Sequence, residues 1–306
     1  MLHISDSMVD SLVTPADAQQ VLREAFMHFG EGAAAMQERI RTEAGSVKLS
    51  TLGAVIPGQG VAGAKVYTTI QGQFSFVILL FSTEDGRPLA SFDAGAITRL
   101  RTAACSVIAA RHLARDDARQ LALFGAGTQG QAHAIQMAAA FALEGIRVCT
   151  PDPLPDLVAH LSAQCGVPVR LCGVDEALDG ADIVVTASRA TTPLFVGERL
   201  PAGCFVAAIG SSLPHTRELD DVALARASLV AVEWRPQSLR EAGELVQAGE
   251  AVLPPEKIVE LAALVTGRVP GRRTRTDITI YKSVGVGLED VALAGLAWRR
   301  HCERGS

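Results

Sequence analysis

The segment from Gly125 to Gly130 is the part of this sequence that points most directly to chemistry. It reads Gly125-Ala126-Gly127-Thr128-Gln129-Gly130, a complete G-x-G-x-x-G. It follows the apolar run Leu121 to Phe124, which we predict to be a β-strand, and it opens a predicted helix near Gln131. In this setting the first glycine permits a tight turn, the second lets the backbone approach a pyrophosphate, and the third permits close packing of helix on strand. All six residues are therefore candidate cofactor-binding residues, and the alternative is a glycine-rich turn that holds no dinucleotide.

The choice between NAD and NADP depends on the end of the next predicted strand, Ile146 to Cys149. That strand runs into Thr150-Pro151-Asp152, and the usual position of the ribose-binding acid is nearer Thr150. Asp152 either reaches the ribose or starts a turn before Pro153. No arginine occupies this stretch, although Thr150 leaves room for a 2′-phosphate, so both cofactors stay open. We count as further candidate cofactor-binding residues Thr150, Asp152, Thr186, Ala187, Ser188, Gly210 and Ser211.

The elements that must position these residues fall into two kinds along the chain. The first part begins with a helix that Thr14 caps and continues through β-rich runs, which glycines divide, to about Phe92. An alanine-rich helix follows, from about Ala96 to Ala114. After Asp116-Asp117, short apolar strands alternate with helices, a pattern typical of a parallel sheet that is covered on both faces. The last predicted helix, Leu288 to Arg300, follows a glycine-rich turn.

These patterns predict an α/β protein with two domains. One is a Rossmann domain, a doubly wound parallel sheet that binds NAD(P), over residues 116–287. The other contains the β-rich runs and the alanine-rich helix of residues 1–115, and periodicity alone does not assign the last predicted helix to either domain. A chain of 306 residues suits two domains of common size.

Composition narrows the class of protein. Hydrophobic residues make up 48% and charged residues 20%, which is typical of a globular protein. The formal net charge of −5 gives no basic surface for nucleic acid and no reason to expect an anionic membrane as partner. The chain shows neither a signal-peptide pattern nor an apolar run of transmembrane length.

The cysteines are scattered rather than paired. None of the six forms a C-x-x-C pair or lies near a histidine at zinc-ligand spacing, so we expect no metal site. Isolated cysteines in apolar surroundings usually behave as small buried hydrophobic residues, which favours a reducing compartment. We therefore expect a cytoplasmic protein.

Several motifs in order give the chain a resemblance to the ornithine cyclodeaminase/mu-crystallin family over nearly its whole length. The matching stretches lie in both predicted domains and include Gly63-Ala64-Lys65-Val66, Asp85-Gly86-Arg87-Pro88, Thr98-Arg99-Leu100-Arg101-Thr102-Ala103-Ala104, the loop Gly125 to Gln129, Ala181 to Ala187, Arg217-Glu218-Leu219-Asp220, Ala242-Gly243-Glu244, Lys282-Ser283-Val284-Gly285 and Glu289-Asp290.

The resemblance implies a homodimer and a discontinuous α+β domain, made of residues 1–115 with 288–306, that binds substrate and forms the dimer. The Rossmann domain of residues 116–287 is then inserted into it. It also implies that Arg41, Lys65 and Arg101 hold the substrate carboxylate near the nicotinamide, with Lys65 and Arg101 as the candidate catalytic residues. A guanidinium can hold both oxygens of a carboxylate in one orientation. Each residue also has an ordinary interpretation: Lys65 on an exposed strand face, Arg101 on a helix surface, and Arg41 in a solvated cluster with Glu38, Arg39 and Glu43.

The chain departs from the cyclodeaminase pattern at Ser212. At the matching position the cyclodeaminases carry an aspartate that acts as base on the substrate amine, and a neutral hydroxyl cannot replace it at ordinary pH. The resemblance is therefore to the branch of ketimine reductases and mu-crystallin, which also lacks the aspartate. We expect an NAD(P)-dependent oxidoreductase that reduces a cyclic ketimine such as pyrroline-2-carboxylate. The alternatives are an ornithine cyclodeaminase with catalytic NAD and a mu-crystallin-like protein that binds NADPH and a ligand.

Overall fold

The structure is a computed structural model that describes residues 1–151 and 155–305. Asp152, one of the candidate cofactor-binding residues, lies outside the described residues. The chain forms two compact units, one made of Met1–Cys105 with Gly285–Ser306 and the other of Ser106–Val284. The domain boundaries predicted from the sequence, at residues 115/116 and 287/288, stay a prediction.

The first unit combines a mixed sheet with long helices. Its strands and helices, in chain order, are β1 (Leu2–Ile4), α1 (Asp6–Leu12), α2 (Pro15–Gly30), β2 (Ala35–Met36), β3 (Ile40–Ala44), β4 (Val47–Ile56), β5 (Val61–Ile70), β6 (Gln73–Ser82), β7 (Pro88–Asp93) and the first part of α3 (Gly95–Leu113). The C-terminal helix of the chain, Gly287–Gly305, belongs to the same unit. Its strands pair in the order β1-β7-β6-β5-β4-β2, and β3 also pairs with β4.

The two faces of this sheet differ because side chains alternate along each strand. On one face Leu52, Lys65 and Ile78 are register partners across β4, β5 and β6, and all three are buried. The C-terminal helix packs on these three strands. On the opposite face Val55, Ala62 and Phe81 are partners, and Val55 and Phe81 are exposed. The covered face therefore forms the core, and the other face exposes apolar side chains to solvent.

The second unit is built on a parallel sheet. Its elements after the end of α3 are β8 (Gln120–Phe124), α4 (Thr128–Ala140), β9 (Gly145–Cys149), α5 (Leu157–Cys165), β10 (Val169–Leu171), α6 (Val174–Leu178), β11 (Ile183–Thr186), β12 (Phe205–Ala208), α7 (Asp221–Arg226), β13 (Ala227–Val232), α8 (Arg235–Glu241), α9 (Gly243–Val252), β14 (Ile258–Glu260), α10 (Leu261–Val265) and β15 (Ile278–Lys282). The C-terminal helix of the first unit is numbered α11.

The strand order identifies the second unit as a doubly wound Rossmann sheet. The order is β10-β9-β8-β11-β12-β15-β13-β14, and every described pair in it is parallel. The order reverses at the boundary between β8 and β11, and open α/β sheets bind their ligands at such a switch point, outside the carboxyl ends of the strands. The predicted fold class is confirmed.

One central strand was not predicted from the sequence. β15 lies between β12 and β13, and all five of its residues are buried. Its sequence, Ile278-Thr279-Ile280-Tyr281-Lys282, alternates apolar and polar residues and ends in a lysine, a pattern typical of a half-exposed strand. The polar side chains are instead paired inside the unit: the Thr279 hydroxyl donates to the carbonyl of Leu113, and the ammonium of Lys282 donates to the carbonyl of Ser211.

The N-terminal helix pattern is confirmed at α2. Thr14 caps it, and Asp17 completes a capping box by accepting from the Thr14 backbone. Arg300 of α11 donates twice to the same carboxylate, and hydrogen bonding to Arg300 holds the pKa of Asp17 well below its usual range. α1 precedes this helix and was not predicted. Within the described residues, none of the helices is long and apolar enough to cross a membrane.

Candidate active site

The glycine loop of the second unit has the geometry that its sequence predicts. β8 ends at Phe124, the chain turns at Gly125, and α4 begins at Thr128 with Gly127 as its N-cap. Gly125 has a φ of 88°, in the left-handed region that favours glycine. A Cβ on Gly125 would lie 2.6 Å from the carbonyl oxygen of Ala187, so the turn also needs glycine for close packing.

The second and third glycines of the loop have opposite surroundings. A Cβ on Gly130 would lie 2.0 Å from the carbonyl oxygen of Gly125, which leaves no room for any side chain. A Cβ on Gly127 would meet no heavy atom within 4 Å. Gly127 therefore borders open space at the start of α4, whereas Gly130 is needed for the contact between helix and loop.

This arrangement fits a dinucleotide. The N-terminus of α4 has no side-chain cap, and its N-cap residue Gly127 borders open space. A helix N-terminus favours negative charge, because its unpaired N–H groups and its dipole both attract an anion. Residues Gly125 to Gly130 can therefore hold the pyrophosphate of NAD or NADP. Thr150 follows β9, the neighbour of β8, and is partly exposed.

The other candidate cofactor residues lie past the carboxyl ends of β11 and β12. Ala187 and Ser188 follow β11, and Gly210 and Ser211 follow β12. Thr186 is fully buried at the end of β11, and its hydroxyl donates to the carboxylate of Glu218 over 2.8 Å. The hydroxyl of Thr186 is therefore hydrogen-bonded to another residue of the protein. That these residues contact a cofactor stays a prediction.

The first unit contains a buried charge cluster of four side chains: Lys65, Arg101, Glu289 and Asp290. All four are at most 8% exposed, and Glu289 and Asp290 are fully buried. Lys65 projects from β5, Arg101 from α3, and the two carboxylates from the first turn of α11. A buried charge is costly unless it is paired, so the four groups must satisfy one another.

Lys65 pairs with Asp290, with 3.2 Å between Nζ and Oδ1, and it donates to the Thr98 hydroxyl over 2.5 Å. Its ammonium also lies 4.6 Å from the centre of the Phe76 ring, within the range of a cation–π contact. Burial lowers the pKa of Lys65 to about 8, although the charge of Asp290 opposes that shift. Lys65 is therefore a buried amine with a lowered pKa, not a surface lysine on a strand.

Arg101 pairs with Glu289 through a hydrogen bond of 2.5 Å from Nη1 to Oε2. Its Nε lies 3.7 Å from Asp290. Burial alone would lower the pKa of Arg101, but Glu289 and Asp290 outweigh that effect and the pKa is raised. A Cβ on Gly285 would lie 2.7 Å from the Arg101 guanidinium, so glycine at position 285 leaves space for it. Arg101 carries its charge inside the unit and is not a helix-surface cation.

Arg39 is a further cation close to the buried charge cluster. Its guanidinium donates to the carbonyl oxygen of Gly285 over 2.9 Å, and its charge contributes to the lowered pKa of Lys65. Arg41, the predicted third member of the carboxylate site, lies on β3 opposite Ser50 and is partly exposed. That Arg41 binds the substrate carboxylate stays a prediction.

Together these features define a class: a Rossmann protein with a glycine-rich dinucleotide loop in one unit and a buried cluster of two cations and two carboxylates in the other. A match to the ornithine cyclodeaminase/mu-crystallin family spans residues 1–304. The chain belongs to this family.

Individual relatives agree with that assignment. The chain is 32% identical over 256 residues to a Delta(1)-pyrroline-2-carboxylate reductase of Bacillus cereus, with 82% of this chain and 76% of the relative covered. A crystal structure of a probable ornithine cyclodeaminase from Bordetella pertussis superposes with a TM-score of 0.97 at 62% identity, covering 100% of this chain and 98% of the other. The Delta(1)-pyrroline-2-carboxylate reductase of Thermococcus litoralis, in complex with NADH and L-proline, gives 0.94 at 26% identity, covering 100% and 98%.

Proposed function

We propose that this protein is an NAD(P)H-dependent reductase of a small cyclic imino acid such as pyrroline-2-carboxylate. The observation that carries the proposal is the pair of buried cations, Lys65 and Arg101, in a chain that also has a dinucleotide loop. A carboxylate is the group on an amino or imino acid that such cations bind. The relatives that are named as pyrroline-2-carboxylate reductases support the same substrate class.

In the proposed reaction the residues of the chain bind and orient while the cofactor supplies the hydride. Arg101 binds the substrate carboxylate, and Lys65 supports it as a second cation. Holding the carboxylate fixes the position of the adjacent C=N carbon, and correct orientation is a large part of what an enzyme contributes to such a step. Glu289 and Asp290 keep Arg101 and Lys65 in place. With two cations and two carboxylates, the buried charge cluster is neutral before the substrate adds its charge.

Ser212 disfavours the alternative of ornithine cyclisation. Removing a proton from the substrate amine needs a base, and a serine hydroxyl is neutral at ordinary pH. Ser212 lies between Ser211, whose hydroxyl donates to the carbonyl of Thr216, and the exposed Leu213. Reduction does not need a base here, because a protonated cyclic imine is already electrophilic. Binding without turnover is also disfavoured, since a passive ligand site has no need of two buried cations.

The decisive experiment follows absorbance at 340 nm with purified protein, NADH or NADPH, and pyrroline-2-carboxylate or piperideine-2-carboxylate. We expect consumption of the reduced cofactor. A parallel assay measures ammonia release from ornithine with catalytic NAD, and there we expect none. Proline and ammonia from ornithine without net change in NADH would contradict the proposal and show that Ser212 does not prevent cyclisation. Cofactor binding without turnover of any imino acid would favour the binding-protein alternative.

The lowered pKa of Lys65 gives the reaction an expected pH dependence. The ammonium is charged below about pH 8 and neutral above it, so the substrate carboxylate loses one of its cations as the pH rises through about 8. We expect kcat/KM to fall across that interval, mainly through a rise in KM. In Lys65→Met the activity should be low at every pH and this descending limb should be absent. The same descending limb in the variant would assign it to another group.

We also propose that the protein is a homodimer formed through the open face of the first unit's sheet. Val55 and Phe81 are 46% and 37% exposed on that face, and Ala54, Ala62 and Leu79 line the adjoining cavity of about 460 Å³. Exposed apolar patches of this kind mark interaction surfaces. Val55→Glu should halve the mass measured by light scattering, whereas Val246→Glu, at an exposed apolar site on α9, should not. A monomeric wild-type protein would contradict the proposal.

The compartment that we propose is the cytoplasm. The six cysteines of the chain form no C-x-x-C pair, and scattered thiols of this kind are typical of proteins from a reducing environment.

A further inference from the structure

Glu218 is a fully buried carboxylate that joins two loops of the second unit. Its Oε1 accepts hydrogen bonds from the backbone N–H of Ser188 over 2.8 Å and from the Ser188 hydroxyl over 2.6 Å. Its Oε2 accepts from the backbone N–H of Gly210 over 2.7 Å and from the Thr186 hydroxyl over 2.8 Å. Four donors converge on one side chain, and they come from the segments that follow β11 and β12.

The packing around these loops leaves little freedom for adjustment. A Cβ on Gly210 would lie 2.3 Å from the carbonyl oxygen of Ser188 and 2.4 Å from Oε1 of Glu218. The segment Ala187–Ser188 also contacts the first glycine of the dinucleotide loop, because a Cβ on Gly125 would lie 3.1 Å from the Ser188 Cα. Glu218 therefore holds together loops that border the dinucleotide loop.

A second buried carboxylate holds Glu218 in turn. The backbone N–H of Glu218 donates to Glu244 over 2.8 Å, and Glu244 forms an ion pair of 2.9 Å with Lys282. The ammonium of Lys282 donates to the carbonyl of Ser211 over 2.6 Å, so the network returns to the loop after β12. These three charged side chains are all fully buried. A buried polar network stabilises the fold only when each of its donors and acceptors has a hydrogen-bond partner. A single substitution can therefore destabilise it.

The position of these loops in the Rossmann fold assigns them to one half of the cofactor. A Rossmann sheet binds a dinucleotide across the point where the strand order reverses, one mononucleotide on each side. The glycine loop follows β8, and β9 and β10 extend the sheet on that side, so the adenosine half belongs there. β11 and β12 lie on the other side, and their loops therefore border the nicotinamide half.

We propose that Glu218 is a positioning residue for the nicotinamide half of the cofactor. It acts through the Ser188 and Gly210 loops, which it fixes with charge-assisted hydrogen bonds, and it touches neither cofactor nor substrate. The inference rests on the proposed function, because it requires that a nicotinamide dinucleotide binds at the glycine loop. Glutamine cannot replace Glu218, because its amide nitrogen would face two hydrogen-bond donors in place of a carboxylate oxygen.

The test compares two ligands that share the adenosine half. Calorimetry measures the affinity of wild type and of Glu218→Gln for NADH and for ADP-ribose, which lacks the nicotinamide. We expect the variant to bind NADH about tenfold more weakly or worse, with ADP-ribose affinity within about twofold of wild type. Asp220→Asn is the matched control, because Asp220 is a nearby carboxylate that accepts from the N–H groups of Gly197 and Ala223 instead. Its affinity for both ligands should equal that of wild type.

The ratio of the two affinities separates positioning from general damage. Equal losses for NADH and ADP-ribose, or an unchanged NADH affinity, would overturn the inference. Should Glu218→Gln fail to fold, Thr186→Val decides the question, since it removes one of the four donors with little change in shape. It should weaken NADH binding by a smaller factor and leave ADP-ribose unaffected. A wild-type protein that binds neither ligand would refute the proposed function itself, and the inference with it.

Discussion

Replacing Arg101 by alanine is expected to reduce kcat/KM by about a hundredfold or more. The guanidinium is the proposed carboxylate ligand, and no other side chain of the buried charge cluster can offer two parallel N–H donors. The substitution also leaves Glu289 fully buried without its cation, which should cost about 3–5 kcal/mol in the free energy of unfolding. Steady-state kinetics and chemical denaturation measure the two effects.

Two comparisons separate the loss of function from the loss of stability. Arg99 lies on the same helix and pairs with Asp10 at the surface, so Arg99→Ala should change stability by less than about 1 kcal/mol and leave kcat/KM intact. In the double variant Arg101→Ala/Glu289→Gln the buried carboxylate is neutralised. That variant should regain much of the stability without regaining activity. Recovery of activity would show that Arg101 only balances the charge of Glu289 and does not bind substrate.

Alanine at Gly127 is expected to abolish tight cofactor binding while the fold stays intact. The Cβ would contact no protein atom, and the φ of −72° suits any residue, so the free energy of unfolding should change by less than about 0.5 kcal/mol. The added methyl group would instead enter the space beside the helix N-terminus, where the pyrophosphate must approach the backbone. The affinity for NADH, measured by its fluorescence on binding, should fall by at least about tenfold.

Gly130→Ala provides the contrast, because its Cβ would lie only 2.0 Å from the Gly125 carbonyl. There we expect a loss of about 1–3 kcal/mol in stability together with weaker binding, since the loop itself must move. Gly127 and Gly130 are three residues apart in one motif. Gly127 is predicted to be needed for cofactor binding, and Gly130 for the packing of the helix on the loop. NADH affinity at the wild-type level in Gly127→Ala would place the pyrophosphate elsewhere.

The buried charge cluster shows why tertiary structure was needed to interpret the candidate site. Lys65 and Arg101 could be singled out from the sequence because their motifs resemble those of the family. Their partners, Asp290 and Glu289, lie 225 and 188 residues further along the chain, in the first turn of α11. The sequence pattern predicts this helix but not which side chains it packs against. Arg41 was singled out by the same resemblance, and its part in substrate binding stays a prediction.

What the sequence determined by itself is local. The strand, glycine loop and helix at residues 120–140 follow from spacing and backbone geometry, and so does the helix cap at Thr14. Only the tertiary structure decided the rest: that β15 lies inside the sheet, that Glu218 joins two loops, and that Lys65 and Arg101 each face a carboxylate of α11. The physical reason is that a buried charge is tolerated only when its partner is brought close, and chain folding, not local propensity, brings distant residues together.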